Sequence, residues 1–244
     1  MSLRIHTLGP FRIYRDVTPI LDSDWKTQKN RTLLKILITY RKRALTKDQL
    51  IEWLWRDLSP DAAGRNLRVA VSQLRRVLEP NLPPRAKSSF VLTTDAGYAW
   101  NTKADYWLDA EEFEGLADSR WQIADGRWQV ADSSANQDAV SHQPSAISDM
   151  QSALSLYRGD YLEEDRYADW ATAERERLRE LYFTLLTRLA EVYARRGRYR
   201  RAVAACREVL ATDRCRESVW CQLMLYYYHA GDQALARRAY EECQ

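Results

Sequence analysis

The sequence has little of what marks secreted, metal-binding or membrane proteins. Apolar stretches such as LLKILITY are short and carry charge, and no charged leader with an apolar run opens the chain. We therefore expect neither a membrane span nor secretion. The few cysteines form no C-x-x-C pair and have no histidine at metal-ligand spacing, so we expect buried free thiols in a reduced, cytoplasmic protein. They are Cys206, Cys215, Cys221 and Cys243.

Patterns of catalytic and nucleotide-binding sites are also missing. The sequence has no G-x-x-x-x-G-K-[ST] run, and its three histidines are scattered. One acidic group has no nucleophile or base at a matching spacing, so we interpret it as the solvated start of a helix. Its members are Asp105, Asp109, Glu111 and Glu112. An enzyme is the least favoured class, and we expect neither a cofactor nor a metal.

Charge is divided unequally along the chain. Residues 1–100 contain 18 Lys and Arg against 9 Asp and Glu, whereas the remaining residues contain 19 against 25. A basic first half suits a polyanion, because each phosphate that is neutralised releases counterions. The two halves are therefore expected to face different partners.

Hydrophobic spacing in residues 1–100 predicts short strands and three helices. The run LRIHTLGPFRIYRD alternates apolar and polar residues and predicts two antiparallel strands. KNRTLLKILITYRKR has helical spacing, and Thr46 with Gln49 forms a capping box that starts the helix TKDQLIEWLW. Asp95-Ala96-Gly97 predicts the turn of a hairpin. This order is typical of a winged helix-turn-helix, whose third helix lies in the DNA major groove.

The third helix, predicted over residues 64–80, has an outer face that contains no acid between residues 65 and 78. Arginine, asparagine and glutamine pair with base edges, and valine contacts a thymine methyl. Taken alone, such a helix is more often a solvated surface helix; the hairpin and the basic half favour a base-reading face. The inner face contains Leu67, Ala70, Val71, Leu74, Val77 and Leu78. The outer face contains Arg65, Val69, Ser72 and Arg76, with Asn66 and Gln73 on its flank.

The second half of the sequence predicts helices with an internal repeat. Residues 101–118 are acidic, and residues 119–145 predict a loop or insertion, mobile in part, whose repeated Arg-Trp-Gln is compatible with a small hairpin. From Ile147 onward the pattern is helical, with a period of 34 residues that is typical of tetratricopeptide repeats. The recurring pairs are Leu189 and Leu223, Tyr193 and Tyr227, Gly197 and Gly231, and Ala202 and Ala236.

Two groups in the repeat region bear on partners. Four aromatic residues are expected to fill contacts between helices, and an exposed one is equally compatible with a peptide or subunit groove; they are Trp220, Tyr226, Tyr227 and Tyr228. The last helix, QALARRAYEECQ, leaves no residues for a capping helix. We therefore expect a longer protein, or a second subunit over this end. The residues expected to pack inward are Ala236, Ala239, Tyr240 and Cys243.

These segments together resemble the SARP-type transcription activators, which join an OmpR-like winged helix to a bacterial transcriptional activator domain of tetratricopeptide-like helices. The resemblance rests on LGPFRIYRD, LIEWLW, NLRVAVSQLRRVLEP and the T-T-x-x-G-Y at 93–98. In the second half it rests on LDAEEFEGL, ALSLYRGDYL, DWATAERERL and the repeat. It implies a mainly α fold with small β-sheets, with a winged helix-turn-helix at residues 1–100 and a tetratricopeptide-like domain at residues 101–244.

The resemblance also implies the roles of individual residues. Gln73 stands where OmpR-like recognition helices usually have a basic residue, so the preferred DNA sequence stays open. The stretch from Asp57 to Gly64 resembles the loop through which OmpR-like activators touch RNA polymerase, and its predicted contact residues are Asp57, Leu58, Ser59 and Asp61. A homodimer on repeated DNA sites is expected. The predicted DNA-binding residues are Arg65, Asn66, Arg68, Val69, Ser72, Gln73 and Arg76 of the helix and Thr94 of the wing.

The leading interpretation is a sequence-specific, DNA-binding transcription regulator without catalytic activity, an activator that recruits RNA polymerase. The alternative is a tetratricopeptide scaffold whose winged helix binds protein or RNA. Weak, salt-insensitive binding to all duplex DNA would favour that alternative, since phosphate contacts make DNA affinity depend on salt.

Overall fold

The computed structural model describes residues 1–83, 86–118, 121–124, 127–130 and 143–243. The chain divides into two compact units. The first comprises Met1–Asp109 and Tyr161–Arg175, and the second comprises Ala110–Asp160 and Glu176–Gln244. The predicted fold class is confirmed, because the chain is mainly helical with small sheets and begins with a winged helix-turn-helix. The division of the sequence into domains at residue 100 stays a prediction.

The first unit combines short strands with the three predicted helices. Its strands are β1 (Leu3–His6), β2 (Arg12–Arg15), β3 (Thr18–Pro19), β4 (Leu45–Thr46), β5 (Val91–Thr93), β6 (Gly97–Trp100) and β7 (Tyr106–Leu108). Its helices are α1 (Gln28–Thr39), α2 (Lys47–Trp55) and α3 (Pro60–Leu78), and short 3-10 helices lie at Asp22–Asp24 and Glu163–Asp165.

One sheet of the first unit has the strand order β3-β2-β1-β7. Strands β1 and β2 are antiparallel with Ile5 opposite Ile13, as the alternating sequence predicts. Strand β7 pairs with β1 in parallel, with Leu3 opposite Tyr106. The sequence pattern predicts neither β3 nor β7, because two or three residues are too few to show alternation.

The predictions for helices α1 and α2 are confirmed. Leu33, Leu34 and Leu37 share the buried face of α1. The Gln49 backbone N–H donates to Thr46 Oγ1 at 3.2 Å, and the Thr46 N–H donates to Gln49 Oε1 at 3.1 Å. This capping box satisfies two N–H groups that the first turn of α2 leaves without helical partners.

A segment from the second half of the sequence completes the core of the first unit. Tyr161 and Leu162 are fully buried there. The Leu162 N–H donates to the Thr7 carbonyl at 2.8 Å, and the Tyr161 hydroxyl lies 2.9 Å from the hydroxyl of Thr39. Burial raises the pKa of Tyr161 well above its ordinary range, so the phenol stays protonated.

Charged groups attach residues 161–175 to α1 and also bind different parts of this segment to one another. Lys35 Nζ lies 2.5 Å from Asp165 Oδ2 and 3.2 Å from Glu164 Oε2. The buried guanidinium of Arg175 donates to the carbonyls of residues 161, 165 and 166 at 2.8–3.0 Å. The first unit is therefore one folded body built from two separated parts of the chain.

Asp109 contradicts the expectation of a solvated acidic helix start. Its carboxylate is 2% exposed and accepts hydrogen bonds from the N–H and hydroxyl of Thr7 at 2.8 Å and from the N–H of Leu8 at 3.0 Å. These N–H groups follow strand β1 and need a buried acceptor, which the carboxylate supplies. Asp105 and Glu112 are exposed, as expected.

The second unit is helical apart from one small sheet. Its helices are α4 (Asp109–Asp118), α5 (Gln143–Leu156), α6 (Asp169–Arg195), α7 (Tyr199–Thr212), α8 (Glu217–His229) and α9 (Gln233–Cys243), and its strands are β8 (Trp121–Ala124) and β9 (Arg127–Val130). The first residue of α4 and the start of α6 up to Arg175 belong to the first unit. No helix in the described part of the chain is long and apolar enough to cross a membrane.

The predicted loop at 119–145 contains regular structure. Strands β8 and β9 pair antiparallel with Trp121 opposite Val130, so the Arg-Trp-Gln duplication does mark a hairpin. Helix α5 begins at Gln143, earlier than the sequence predicts. The loop prediction is wrong for these stretches; residues 131–142 lie outside the described residues, and the predicted mobility stays a prediction.

The tetratricopeptide prediction is confirmed in helices α6 to α9. Gly197 and Gly231 have φ of 69° and 86° and end α6 and α8 at equivalent positions of the repeat. Helix α8 packs against both α7 and α9. The prediction for Tyr240 is wrong, since it is 55% exposed; only Ala239 of that group is fully buried. As expected, Trp220, Tyr226 and Tyr227 fill helix contacts, whereas Tyr228 is exposed.

The cysteines are free thiols, but only one is buried as expected. Cys206 lies inside the repeat, while Cys215 and Cys221 are exposed. Burial, and then the negative charge of Glu191, raises the pKa of the Cys206 thiol to about 12. This thiol is therefore neutral and inert in the folded protein.

Candidate nucleic-acid interface

Helix α3 begins before its predicted start. The sequence predicts a helix from residue 64 after a loop from Asp57, but the helix starts at Pro60 with Ser59 as its N-cap. Proline is favoured at this first position because a backbone N–H there would have no acceptor within the helix, so its absence costs nothing. Asp61 is therefore in the first helical turn, where a negative charge is stabilised, and the connection from α2 is only residues 56–59.

The inner face of α3 is the predicted one. Leu67, Val71 and Leu74 are at most 2% exposed, and Val77 is the one predicted core residue that is only half-buried. This face packs on α1 and α2. Burial of the inner face fixes the opposite side chains outward. The residues on the exposed side are Arg65, Asn66, Arg68, Val69, Ser72 and Arg76.

The exposed side of α3 is cationic and has no compensating acid. Among the described residues, no carboxylate forms an ion pair with Arg65, Arg68 or Arg76. Val69 is 54% exposed in the middle of this side, next to the small Ser72. A solvated helix usually mixes both signs of charge, so this side has the chemistry of a surface that meets an anion.

Gln73 is placed differently from the other predicted base readers. It is half-buried, and its Oε1 accepts a hydrogen bond from Nδ2 of the buried Asn30 at 2.8 Å. Pairing with adenine needs both the oxygen and the nitrogen of the amide. While the hydrogen bond to Asn30 of α1 is kept, Gln73 therefore helps to position α3, and only its amide nitrogen is available to contact a DNA base.

Strands β5 and β6 form the predicted hairpin, with Thr93 opposite Tyr98. In its turn, the Gly97 N–H donates to the Thr94 carbonyl at 3.2 Å and to Thr94 Oγ1 at 3.1 Å. Gly97 is required because a Cβ at this position would lie 2.2 Å from the Leu45 carbonyl oxygen of β4. Thr94, the predicted DNA-binding residue of the wing, is half-buried at this turn.

Arg75 fixes the hairpin beside α3, a role that the sequence pattern does not predict. Its Nε and Nη2 donate to the Val91 carbonyl at 3.1 and 2.8 Å, and Nη2 also donates to Thr93 Oγ1 at 2.7 Å. The signal available in the sequence was its position four residues after the buried Val71, at the border of the two faces. A border arginine reaches a neighbouring element more easily than solvent-facing Arg76.

Glu79 anchors the other end of the hairpin. It is buried, and it accepts hydrogen bonds from the Ser88 hydroxyl and, at 2.9 Å, from the Ser89 N–H. Ser88 Oγ in turn accepts from the Val91 N–H at 3.1 Å. Glu79, the acid that follows the cationic stretch of α3, therefore holds the residues that precede β5. Because it is buried, its negative charge does not lie on the outer face of α3.

The connection between α2 and α3 is exposed. Asp57, Leu58, Ser59 and Asp61 all lie at the surface, and the Leu58 side chain is 42% exposed. The Leu58 N–H donates to the Trp55 carbonyl at 3.1 Å, which holds the connection close to the end of α2. Among the described residues, no group of three His, Cys, Asp or Glu side chains is arranged to hold a metal ion.

Two family models match the chain, one after the other. The model described as transcriptional regulatory protein, C terminal, matches residues 25–100. The model described as bacterial transcriptional activator domain matches residues 126–244. The first match contains α1, α2, α3 and the hairpin, and the second contains the repeat helices.

Similar proteins extend along almost the whole chain. Regulatory protein AfsR of Streptomyces coelicolor is 27% identical over 241 residues, which are 99% of this chain and 22% of AfsR. Transcriptional regulatory protein MoaR1 of Mycobacterium tuberculosis is 26% identical over 240 residues, covering 98% of this chain and 71% of MoaR1. This chain thus spans less than a quarter of AfsR.

A solved structure of Mycobacterium tuberculosis EmbR in complex with a low-affinity phosphopeptide has the same fold. Its TM-score is 0.72 at 24% sequence identity, and the match covers 99% of this chain and 58% of the EmbR chain. The two family matches occur in the order that the sequence predicts, and AfsR and MoaR1 are both named as regulatory proteins. The chain belongs to the SARP-type transcription regulators.

Proposed function

We propose that this regulator binds DNA sequence-specifically through α3 and activates transcription. The observation that carries the proposal is the exposed, acid-free side of α3. Arg65, Arg68 and Arg76 supply donors for phosphates and guanine edges, and Asn66 supplies an amide that pairs with a base edge. The exposed methyl groups of Val69 suit a thymine methyl.

The hairpin extends this surface. Arg75 joins it to α3 through Val91 and Thr93, so a duplex that enters along α3 meets the turn at Thr94 next. The hairpin offers the exposed Thr93, the hydroxyl of Thr94 and backbone N–H groups. Groups of this kind donate hydrogen bonds to phosphate oxygens. The hairpin then fixes the register on the DNA, and α3 reads the bases.

The test is selection of binding sites from random duplex DNA by the 244-residue chain, followed by titrations of the selected site over a range of salt. Arg65→Ala is expected to weaken binding to every sequence and to reduce the salt slope by about one. Asn66→Ala is expected to relax one base position at a cost of about 1–3 kcal/mol. Arg12→Ala, which removes an exposed arginine from β2, is the matched control.

Absence of a selected sequence, together with weak binding that does not depend on salt, would refute the proposal. That outcome favours a scaffold whose winged helix binds protein or RNA. Gln73→Ala separates the two roles of this residue, because loss of the Asn30 bond lowers stability whether or not DNA is bound.

We propose that the connection between α2 and α3 contacts RNA polymerase. Its support is the exposure of Asp57, Leu58 and Ser59 and the resemblance to OmpR-like activators. Asp57→Ala and Leu58→Ala are expected to keep operator affinity and to lower transcription in a reconstituted assay. Equal losses in both assays would show a structural role. Asp61→Ala is a less clean test, since Asp61 also stabilises the first turn of α3.

The remaining parts of the proposal concern assembly and chemistry. We infer a cytoplasmic regulator without cofactor or catalytic step, which binds repeated sites as a dimer because two linked modules gain effective concentration. Light scattering with and without a two-site duplex tests the assembly. A single chain per duplex at saturating protein would rule the dimer out.

A further inference from the structure

The second unit contains a groove whose residues have no part in the proposed DNA-binding surface. It lies between α7 and α9, with α8 as its floor, and has a volume of about 670 Å³. This is large enough for several side chains of a ligand. All of its lining residues belong to the second unit.

The groove combines an apolar floor with a cationic rim. Leu210, Leu223 and Leu235 line it, and three arginines stand against one acid. Arg238 Nε pairs with that acid, Glu242, at 2.9 Å. The two other arginines, Arg207 and Arg214, are exposed and form no ion pair among the described residues.

A buried hydroxyl at the groove also lacks a partner. Tyr227 is one of the lining residues, its side chain is 4% exposed, and its hydroxyl has no hydrogen-bond partner in the described part of the chain. Such a group lowers the stability of the fold while it stays unpaired. The Arg207 guanidinium lies 5.4 Å from the centre of the Tyr227 ring, so the cation lies against the residue that carries the unpaired hydroxyl.

We propose that this groove binds an acidic peptide segment of a partner protein. Carboxylates of the peptide pair with Arg207 and Arg214, and its apolar side chains cover Leu235, which is 38% exposed. A polar group of the peptide that reaches the floor satisfies the Tyr227 hydroxyl. The observations disfavour a single-stranded nucleic acid, because it needs exposed ring faces for stacking and the rings of Trp220 and Tyr227 are buried.

The experiment begins with a display library of random peptides, selected on the 244-residue chain and counter-selected on the Arg207→Gln/Arg214→Gln double variant. The expected survivors have a net negative charge and at least two apolar residues. Their affinity, measured by fluorescence anisotropy, is expected to fall about tenfold or more in the double variant, which is about 1.4 kcal/mol. Arg237→Gln, an exposed arginine of α9 outside the groove, is expected to bind like the parent.

Tyr227→Phe gives an independent readout. Without peptide this variant is expected to unfold at the same or a higher temperature than the parent, because it removes an unpaired buried hydroxyl. With peptide it is expected to bind more weakly. Circular dichroism of each variant checks that the repeat remains helical.

The proposal is overturned if the peptides that survive counter-selection carry no net negative charge, or if no peptide depends on the two arginines. It is also overturned if a DNA or RNA oligonucleotide displaces every selected peptide and loses affinity in the same double variant, since the groove then binds phosphate. None of these outcomes affects the test of α3, because both arginines lie outside the first unit.

Discussion

Arg75→Met tests whether the hairpin belongs to the DNA surface. Methionine keeps most of the aliphatic stem and removes the guanidinium, so the hydrogen bonds to the Val91 carbonyl and to Thr93 Oγ1 are lost. A hydrogen bond from a charged donor contributes about 1.5–3 kcal/mol when buried, and Arg75 is half-buried, which places each of its bonds at or below the low end. Two acceptors then give a loss of about 2 kcal/mol in the free energy of unfolding.

The same change has a separate effect on DNA. The buried contacts of α3 do not depend on Arg75, so the sequence selected from random DNA is expected to stay the same. Contacts of the hairpin with phosphates lose their fixed position, and affinity for all duplexes is expected to fall about tenfold, with a smaller salt slope. Urea unfolding measures the first effect, and anisotropy titrations over a range of salt measure the second.

Two results would contradict this reasoning. Unchanged affinity with reduced stability would show that the hairpin is structural and does not touch DNA. A changed base preference would show that Arg75 acts on α3 itself. Arg56→Met is the control, because Arg56 is exposed and its pair with Glu52 on the surface of α2 contributes only about 0.5 kcal/mol.

Three further predictions concern the units themselves. Gly97→Ala is expected to destabilise the first unit by more than about 2 kcal/mol, because its Cβ meets the Leu45 carbonyl oxygen at 2.2 Å; a parent-like melting temperature would show that β4 moves aside. Asp109→Ala is expected to cost about 2–5 kcal/mol, since two buried backbone N–H groups lose their acceptor; a loss below 1 kcal/mol in chemical unfolding would contradict this. At pH 8–9 the exposed Cys215 is expected to react with a thiol reagent and Cys206 to react only after unfolding, because its raised pKa keeps it protonated until the pH approaches about 12; equal rates in the folded protein would disprove it.

Elements with a strong period could be predicted from the sequence, and elements fixed by distant partners could not. The heptad-like spacing of Leu67, Val71 and Leu74 determines both faces of α3, and the structure confirms the inner one. Strand β7 is only three residues long and exists because β1 lies beside it. The hydrophobic pattern predicts the start of α3 too late, because Gly64 and the preceding alanines have no clear face, whereas Pro60 sets the first turn.

The candidate site divides in the same way. Exposure of Arg65, Asn66 and Arg76 follows from the helical period alone. The bond between Gln73 and Asn30 joins residues that are 43 positions apart, and the Arg75 contacts span 16 to 18 positions. A single sequence contains no sign of such pairs, because an amide or guanidinium on a helix flank suits solvent, a base or a neighbouring element equally well.

The position of residues 161–175 in the first unit has a consequence for synthesis on the ribosome. Tyr161 and Leu162 are part of that unit's core, so the first 109 residues cannot complete it when they emerge. At about 5–20 residues per second, the missing part follows roughly 3–13 s later. During that interval we expect Leu8 and the acceptor carbonyl of Thr7 to lack their native cover and to be open to chaperones or proteases. The proposed DNA-binding part of the protein is therefore finished only after residues up to 175 have been made.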